Sequence, residues 1–369
     1  MRGEKLAAAK RAALLAVDRL HDEDIVSVVT YESTVNVLVP ATRASDRATI
    51  RAAIEGIRTA GKTALFAGVS KGAAELRKFM EEERISRAIL LSDGLANVGP
   101  SSPELLGNLG AALAREGITV TTIGLGLDFN EDLMAQLAFR SDGNHFFVAD
   151  AADLELAWDT EFGDVLSVVS QAVDIEIRFP DGVRPVRTLG RDARIDGQTL
   201  HASLNHVYAE QTKYLLLELE VPGGEADLEI SVAGVTVEYV DAEGERHSAR
   251  ANARVRFTDS PDRVEQAVRQ DVMVAVVRQI AAEQNQVATA LRDAGRIEEA
   301  RAAFLSNRGY LSRNAALYRS EALQRDARTQ LDAADNLATP EAWNRARKLQ
   351  LEYQVKTRNQ GSYTEKKDD

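Results

Sequence analysis

From Ala88 to Val168 short apolar runs alternate with stretches of helical period, and few chain architectures accommodate that order. The runs Ala88 to Leu91, Val120 to Ile123 and His145 to Val148 read as strands. Between and after them, Pro103 to Arg115, Glu131 to Phe139 and Ala151 to about Val168 read as helices. Units alternating in this way build a mainly parallel sheet with helices on both faces, a doubly wound α/β fold. Ahead of them, Gly3 to Leu20 repeats Leu6, Ala9, Ala13, Leu14, Val17 and Leu20 at helical spacing. Ile25 to Thr30 and Thr34 to Val39 then read as a hairpin closed by Pro40. Ser45 is placed to cap a second helix through Ile50, Ile54 and Ile57, and a Gly-Lys-Thr corner leads into a third through Leu76 and Phe79.

Near Ser170 the period changes from helical to alternating. Val173, Ile175, Ile177 and Phe179 interleave with Asp174, Glu176 and Arg178, and Pro180-Asp181-Gly182 turns the chain. Similar segments at Tyr214 to Val221, Asp227 to Val232, Val235 to Val240 and Ala251 to Phe257 make a small antiparallel β-sandwich the expected second domain. Ser260-Pro261 opens an α-helical C-terminal region rich in Ala, Arg, Gln and Glu. Within it, Ala288 to Phe304 resembles a single helical hairpin, without the second copy that a repeat array needs. The expected divisions are 1–169, 170–259 and 260–358, with a polar, disordered tail at 359–369.

Composition narrows the partners. Of 369 residues, 44% are hydrophobic and 28% charged, a balance that lets folded domains bury cores. The formal net charge of −12, with basic residues scattered among acidic ones, argues against nucleic acid. Without cysteine there is no disulfide framework and no thiolate metal site or nucleophile. No apolar run approaches the roughly 18 residues of a membrane helix, and Arg2, Glu4 and Lys5 follow Met1 where a signal peptide would be apolar. The expectation is a soluble chain with no membrane span.

The motifs of the first 150 residues resemble those of von Willebrand factor A (VWA) domains, in order: the helix opening RGEKLAAAK, the hairpin DIVSVVTYES, the corner GKTAL, the strand and turn AILLSDGLANVG, the strand TVTTIGLG and the closing NHFFV. Beyond them, the succession of β-rich and helical regions resembles bacterial VWA proteins related to the inter-α-trypsin inhibitor heavy chains. The resemblance implies a protein-binding or adhesion module, not an enzyme, whose metal-ion-dependent adhesion site holds Mg²⁺, or Mn²⁺ or Ca²⁺, above the carboxyl ends of the parallel strands. A carboxylate from the protein partner completes the metal shell. By the same resemblance Thr63 and Asp93 are the metal ligands in this chain, and the bacterial cell envelope or periplasm is the expected location. The family's Asp-x-Ser-x-Ser loop, which follows its first strand, is not in the sequence. Met1-Arg2-Gly3-Glu4-Lys5 matches what comes directly after that loop. The resemblance therefore implies that the first strand is missing and that metal binding by the remnant is weak or absent. That strand would lie between the strands at Ile25 and Ala88, whose free ladder groups must then be met by closure, another chain or water.

Other motifs compete for attention. Gly56-Ile-Arg-Thr-Ala-Gly61-Lys62-Thr63 satisfies a phosphate-loop pattern, so the alternative is a P-loop-like NTPase, and a metal-independent scaffold is a further one. A phosphate loop needs a buried strand before its first glycine, whereas Ser45 to Glu55 reads as an amphipathic helix. Gly68-Val69-Ser70-Lys71-Gly72 has nucleophile-elbow spacing but falls inside a helical stretch. Gly124-Leu125-Gly126 lacks the third glycine of a dinucleotide fingerprint and reads as a strand-end turn. His201 and His206 have no acid beside them in sequence, and His21, His145 and His247 are solitary, which favours structural roles over zinc.

Overall fold

The alternating runs do fold as a parallel sheet. A computed structural model describes residues 1–58, 61–81 and 84–360, and the chain divides into two compact units, Met1–Val168 and Val169–Gln360.

In the first unit the order is α1 (Glu4–Arg19), β1 (Ile25–Tyr31), β2 (Val35–Arg43), α2 (Arg47–Glu55), α3 (Leu65–Leu76), β3 (Ser86–Ser92), α4 (Pro103–Arg115), β4 (Ile118–Leu125), α5 (Glu131–Arg140), β5 (His145–Val148) and α6 (Leu154–Leu166). Strands β3, β4 and β5 are parallel neighbours in that order, and β1 and β2 form a separate antiparallel pair. Among the described residues no backbone ladder joins β1 to β3, so of the three alternatives for their ladder groups, closure of the one on the other is not the one adopted. Helices hold the two sheets together instead. On one face Ala8 and Ala12 of α1 pack with Ile123, Leu125 and Val148, while Val17 of the same helix packs with Val39, Ile50 and Ile54. On the other face Leu65, Val69 and Ala73 of α3 share a core with Leu90, Leu106 and Leu133, against which Tyr31 is laid.

Two boundaries differ from the sequence reading. Strand β2 runs through Pro40 to Arg43 rather than stopping at the proline. Proline is tolerated because the pairing is irregular there, with register shifts on either side of Val28, and because β2 is an outer strand. Glu75 of α3 accepts the Ala41 amide at 3.1 Å and Lys78 Nζ at 2.5 Å, which supplies the bond the ladder lacks. The cap of α2 is Asp46, not Ser45, because the Asp46 carboxylate accepts the Thr49 amide at 3.2 Å.

Beneath the sheet lies a buried ion pair. Glu161 of α6 is wholly buried, bonds Arg87 of β3, and accepts Thr121 Oγ1 at 2.6 Å and Asn144 Nδ2 at 3.0 Å. These extra donors match the remaining lone pairs of the carboxylate, the condition under which a buried pair is tolerated.

The second unit opens with β6 (Val168–Arg178), two residues before the expected change of period, followed by β7 (Arg184–Leu189), β8 (Arg194–Asp196), β9 (Thr199–Tyr208), β10 (Leu216–Glu220), β11 (Glu229–Asp241) and β12 (Arg246–Arg256). They form a five-stranded sheet in the order β12-β11-β6-β9-β8 and a two-stranded sheet β10-β7. Ile177, Leu200, Ala202 and Val232 make the core between them, with Leu215, Leu217 and Leu219 packed against it. The segments on either side of Ala233-Gly234 are one strand, β11, which absorbs the interruption as a register shift between Ser231 and Ala233.

Helices α7 (Pro261–Ala267), α8 (Gln270–Asp293), α9 (Ile297–Tyr318), α10 (Glu321–Asp335) and α11 (Pro340–Asn359) complete this unit. Part of their core is polar. Asn285 donates to Gln330 at 2.8 Å and Gln350 at 2.7 Å, Gln354 donates to Asn285 at 2.7 Å, and Asn307 donates to the Ala281 carbonyl at 2.8 Å. All five amide side chains are buried. Of the expected polar tail, 361–369 lies outside the described residues.

Candidate functional site

Thr63 and the loop that carries Asp93 come together beyond the carboxyl end of β3, the side on which open α/β sheets bind ligands. Thr63 sits in the corner before α3, and its amide donates to Asn97 Oδ1 at 2.8 Å. Its carbonyl in turn accepts the Asn97 and Val98 amides at 3.2 and 3.3 Å. The corner is thereby knitted to the loop that carries Asp93. Gly94 keeps them close, since a Cβ at that position would stand 3.2 Å from Thr63 Oγ1. From the hairpin, Ser33 Oγ accepts the Lys62 amide at 3.1 Å, and Glu32 accepts the Ala64 amide on its carbonyl at 2.8 Å.

Tyr31 closes the inner side. Its hydroxyl donates to the Leu91 carbonyl at 2.7 Å, so a side chain satisfies a backbone acceptor of β3 where no neighbouring strand does. Burial pushes the phenol well above its usual pKa; a hydrogen bond with Ser92 pulls the other way, and the nearby Asp93 carboxylate adds to the rise. The hydroxyl therefore stays protonated and keeps donating. Gly68 makes room for this ring: an added Cβ would lie 2.6 Å from Tyr31 Cγ. The Gly-x-Ser-x-Gly spacing is thus a packing feature within α3, with Ser70 in mid-helix. Gly68→Ala is expected to lower the unfolding free energy by about 1–3 kcal/mol through overpacking. Urea titration checks it, and an unchanged midpoint would show that Tyr31 is not fixed as described.

Asp93 is half-buried at the start of the loop after β3, where its carboxylate can meet a cation from outside. A hard dication asks for more. Mg²⁺ takes about six oxygen ligands in near-octahedral order, and Thr63 and Asp93 offer a hydroxyl and a carboxylate. Among the described residues the only trio of acid and histidine side chains close enough to share an ion is Asp241, Glu245 and His247, in the second unit. The residues present thus fit part of a metal site and not the whole of one.

The rival motifs resolve by position. Helix α2, not a strand, precedes Gly56, and the Lys62 and Thr63 amides are spent on Ser33 and Asn97, so they do not form an anion nest. Thr59 and Ala60 of that pattern lie outside the described residues. At Gly124, in β4, an added Cβ would enter the Phe129 ring, and Gly126 adopts a φ of 79° at the strand-end turn. On β9, His201 is exposed and His206 buried, on opposite faces, so they do not share a ligand. His247 is not solitary: the β11–β12 turn brings its Nε2 within 2.6 Å of Asp241 Oδ2, and Tyr239 stacks on its ring. A six-residue separation across a turn hides that pairing from a linear reading.

Comparison with known proteins agrees with the first unit's geometry. Residues 1–158 match the family described as von Willebrand factor type A domain. The chain is 27% identical over 193 residues to the uncharacterized protein YfbK of Escherichia coli (strain K12), covering 52% of this chain and 34% of that protein. It is 26% identical over 186 residues to inter-alpha-trypsin inhibitor heavy chain H3 of Homo sapiens, covering 48% and 21%. The chain thus spans about a third of the first relative's length and a fifth of the second's. Among solved structures, a von Willebrand factor type A protein from Catenulispora acidiphila superposes with a TM-score of 0.74 at 18% identity, covering 89% of this chain and 78% of that one. At that identity the likeness is one of fold.

Proposed function

Residues 1–158 being a von Willebrand factor type A domain, we propose that this chain is a non-enzymatic interaction protein whose binding face is the Thr63 and Asp93 end of the first unit. The reading rests on one observation: the corner before α3 and the loop after β3, separated by 34 residues, are bonded to each other through Thr63 and Asn97 and set an acid at the rim. Such bracing fixes a loop surface before a partner arrives, which reduces the ordering cost of binding. The partner is a protein that offers an acidic side chain toward a cation held between it and Asp93. Thr63 and Asp93 would be this chain's share of that metal's ligands, with the remaining oxygens supplied from outside the described residues.

The test compares proteins retained from the source organism's extract by the immobilised chain and by a Thr63→Ala, Asp93→Ala double variant, with Mg²⁺ or with chelator. A partner held by the parent chain and lost from the variant is expected. Identical retention by both would remove this face as the binding surface. The nucleotide-enzyme alternative is tested by a separate measurement. Calorimetry with Mg²⁺ and ATP or GTP should give no saturable heat, and micromolar binding abolished by Lys62→Ala would overturn the non-enzymatic reading.

A further inference from the structure

The longest free sheet edge among the described residues belongs to β12. It pairs with β11 on one side and with no strand on the other, and all eleven of its residues are exposed. At the opposite edge of the same sheet β8 has three residues, the short edge by which proteins usually avoid unwanted pairing. Strand β12 contains no proline and is not shortened in this way.

Its two faces differ in chemistry. Ala249, Ala251, Ala253 and Val255 stand opposite Val237, Val235, Ala233 and Ile230, and so continue the face that builds the sandwich core. The facing sheet has two strands against five, and β12's apolar side chains stay in water. The exposure extends along the chain, because Leu228, Val255, Val264, Val268 and Val272 are all exposed large hydrophobic residues. The other face of β12 carries Arg246, Ser248, Arg250, Asn252, Arg254 and Arg256, four guanidiniums and no carboxylate. Glu229 of β11 binds Arg254 at 3.2 Å and Arg256 at 2.8 Å, and β11 sets two acids on this face, Glu229 and Glu238, against the four arginines.

We propose that the outer edge of β12 receives an extended segment of a protein partner in which acidic and apolar residues alternate. The backbone of the segment would complete the ladder, its apolar residues would extend the sandwich core over Ala249 to Val255, and its acids would stand directly opposite the arginines. Charge selects this occupant over a second copy of the chain. Two β12 strands paired antiparallel with their core faces on the same side would set arginines among arginines, and like charges across a strand pair are destabilising. This edge belongs to the second unit and Thr63 and Asp93 to the first, so either proposal stands without the other.

The experiment uses the full chain and two labelled eleven-residue peptides, one alternating Glu with Val and the other Lys with Val. Fluorescence anisotropy at low salt should show saturable binding of the Glu peptide, at least about tenfold tighter than the Lys peptide, and weakening as salt screens the charges. Amide hydrogen exchange should slow within Arg246–Arg256 when the Glu peptide is present. Arg250→Glu, at an exposed position, should reduce affinity for the Glu peptide by about tenfold, while Arg313→Glu on α9 leaves it unchanged. Equal binding of the two peptides, no binding, protection confined to other segments, or self-association of the chain through this edge would each overturn the proposal.

Discussion

Extending the chain at its amino end with an apolar strand that finishes in Asp-x-Ser-x-Ser should raise the melting temperature of the first unit by roughly 5–10 °C, from a net gain of about 3 kcal/mol. Among the described residues β1 and β3 lie in separate sheets with no ladder between them, and the Tyr31 hydroxyl meets the Leu91 carbonyl. An inserted strand would pair with both edges and bury several large apolar side chains at about 1.5–3 kcal/mol each. Ordering its backbone costs about 1–2 kcal/mol per residue, which leaves the net gain small. Metal affinity should rise with it. The added carboxylate and hydroxyls join Thr63 and Asp93, so Mn²⁺ or Mg²⁺ binding, expected to be weak or absent in the unextended chain, should strengthen by at least about tenfold. Asp93→Ala in the extended protein should abolish the metal gain and keep most of the thermal one. Tight Mg²⁺ binding without the extension, or indifference to Asp93 with it, would show that the site is assigned wrongly.

Removing one partner of the Arg87–Glu161 pair should be the most damaging single change in the first unit. Glu161→Ala leaves the Arg87 guanidinium, Thr121 Oγ1 and Asn144 Nδ2 without the carboxylate they share, all at buried or half-buried positions. The expected loss is about 3–5 kcal/mol. Replacing both partners together, Arg87→Met with Glu161→Leu, should cost much less, because no charge is then stranded in the interior. Chemical denaturation of the two variants separates the cases. A double variant as unstable as the single one would mean that the carboxylate's bonds to Thr121 and Asn144, not the charge pairing, carry the effect.

The parts that could be read along the chain are those where burial imposes a period. Strands β3 and β5 hold short apolar runs, Ala88–Leu91 and Phe146–Val148, β4 is buried at every residue and fills its polar places with threonine, and the helices between them carry regular apolar stripes. Strands β7, β8 and β9 gave no such signal. In β7 a proline and two arginines interrupt the pattern, β8 is three residues long, and the inward set of β9, Leu200, Ala202, Leu204, His206 and Tyr208, includes residues that are not strongly apolar. At the candidate site, Thr63 and Asp93 were legible from the GKTAL and LLSDG motifs through family resemblance. Asn97, Tyr31 and Gly68 were not, because their roles arise from loop and helix contacts between residues about 30 to 60 apart, which no local periodicity encodes. The amides of the helical region escaped for a related reason. Asn285, Asn307 and Gln330 look like surface residues until their helices pack.

Those amides make the helical packing a matter of all or nothing. Helices joined by aliphatic side chains alone tolerate sliding past one another by a turn, about 5.4 Å, since one methyl contact replaces another. Here a slide of that size would take Asn285 out of the one arrangement in which it meets Gln330, Gln350 and Gln354 together. Each abandoned amide would cost about 1–3 kcal/mol in the dry interior. The bundle therefore has one alignment in which these amides bond to one another, and loosening any of these helices obliges its neighbours to let go as well.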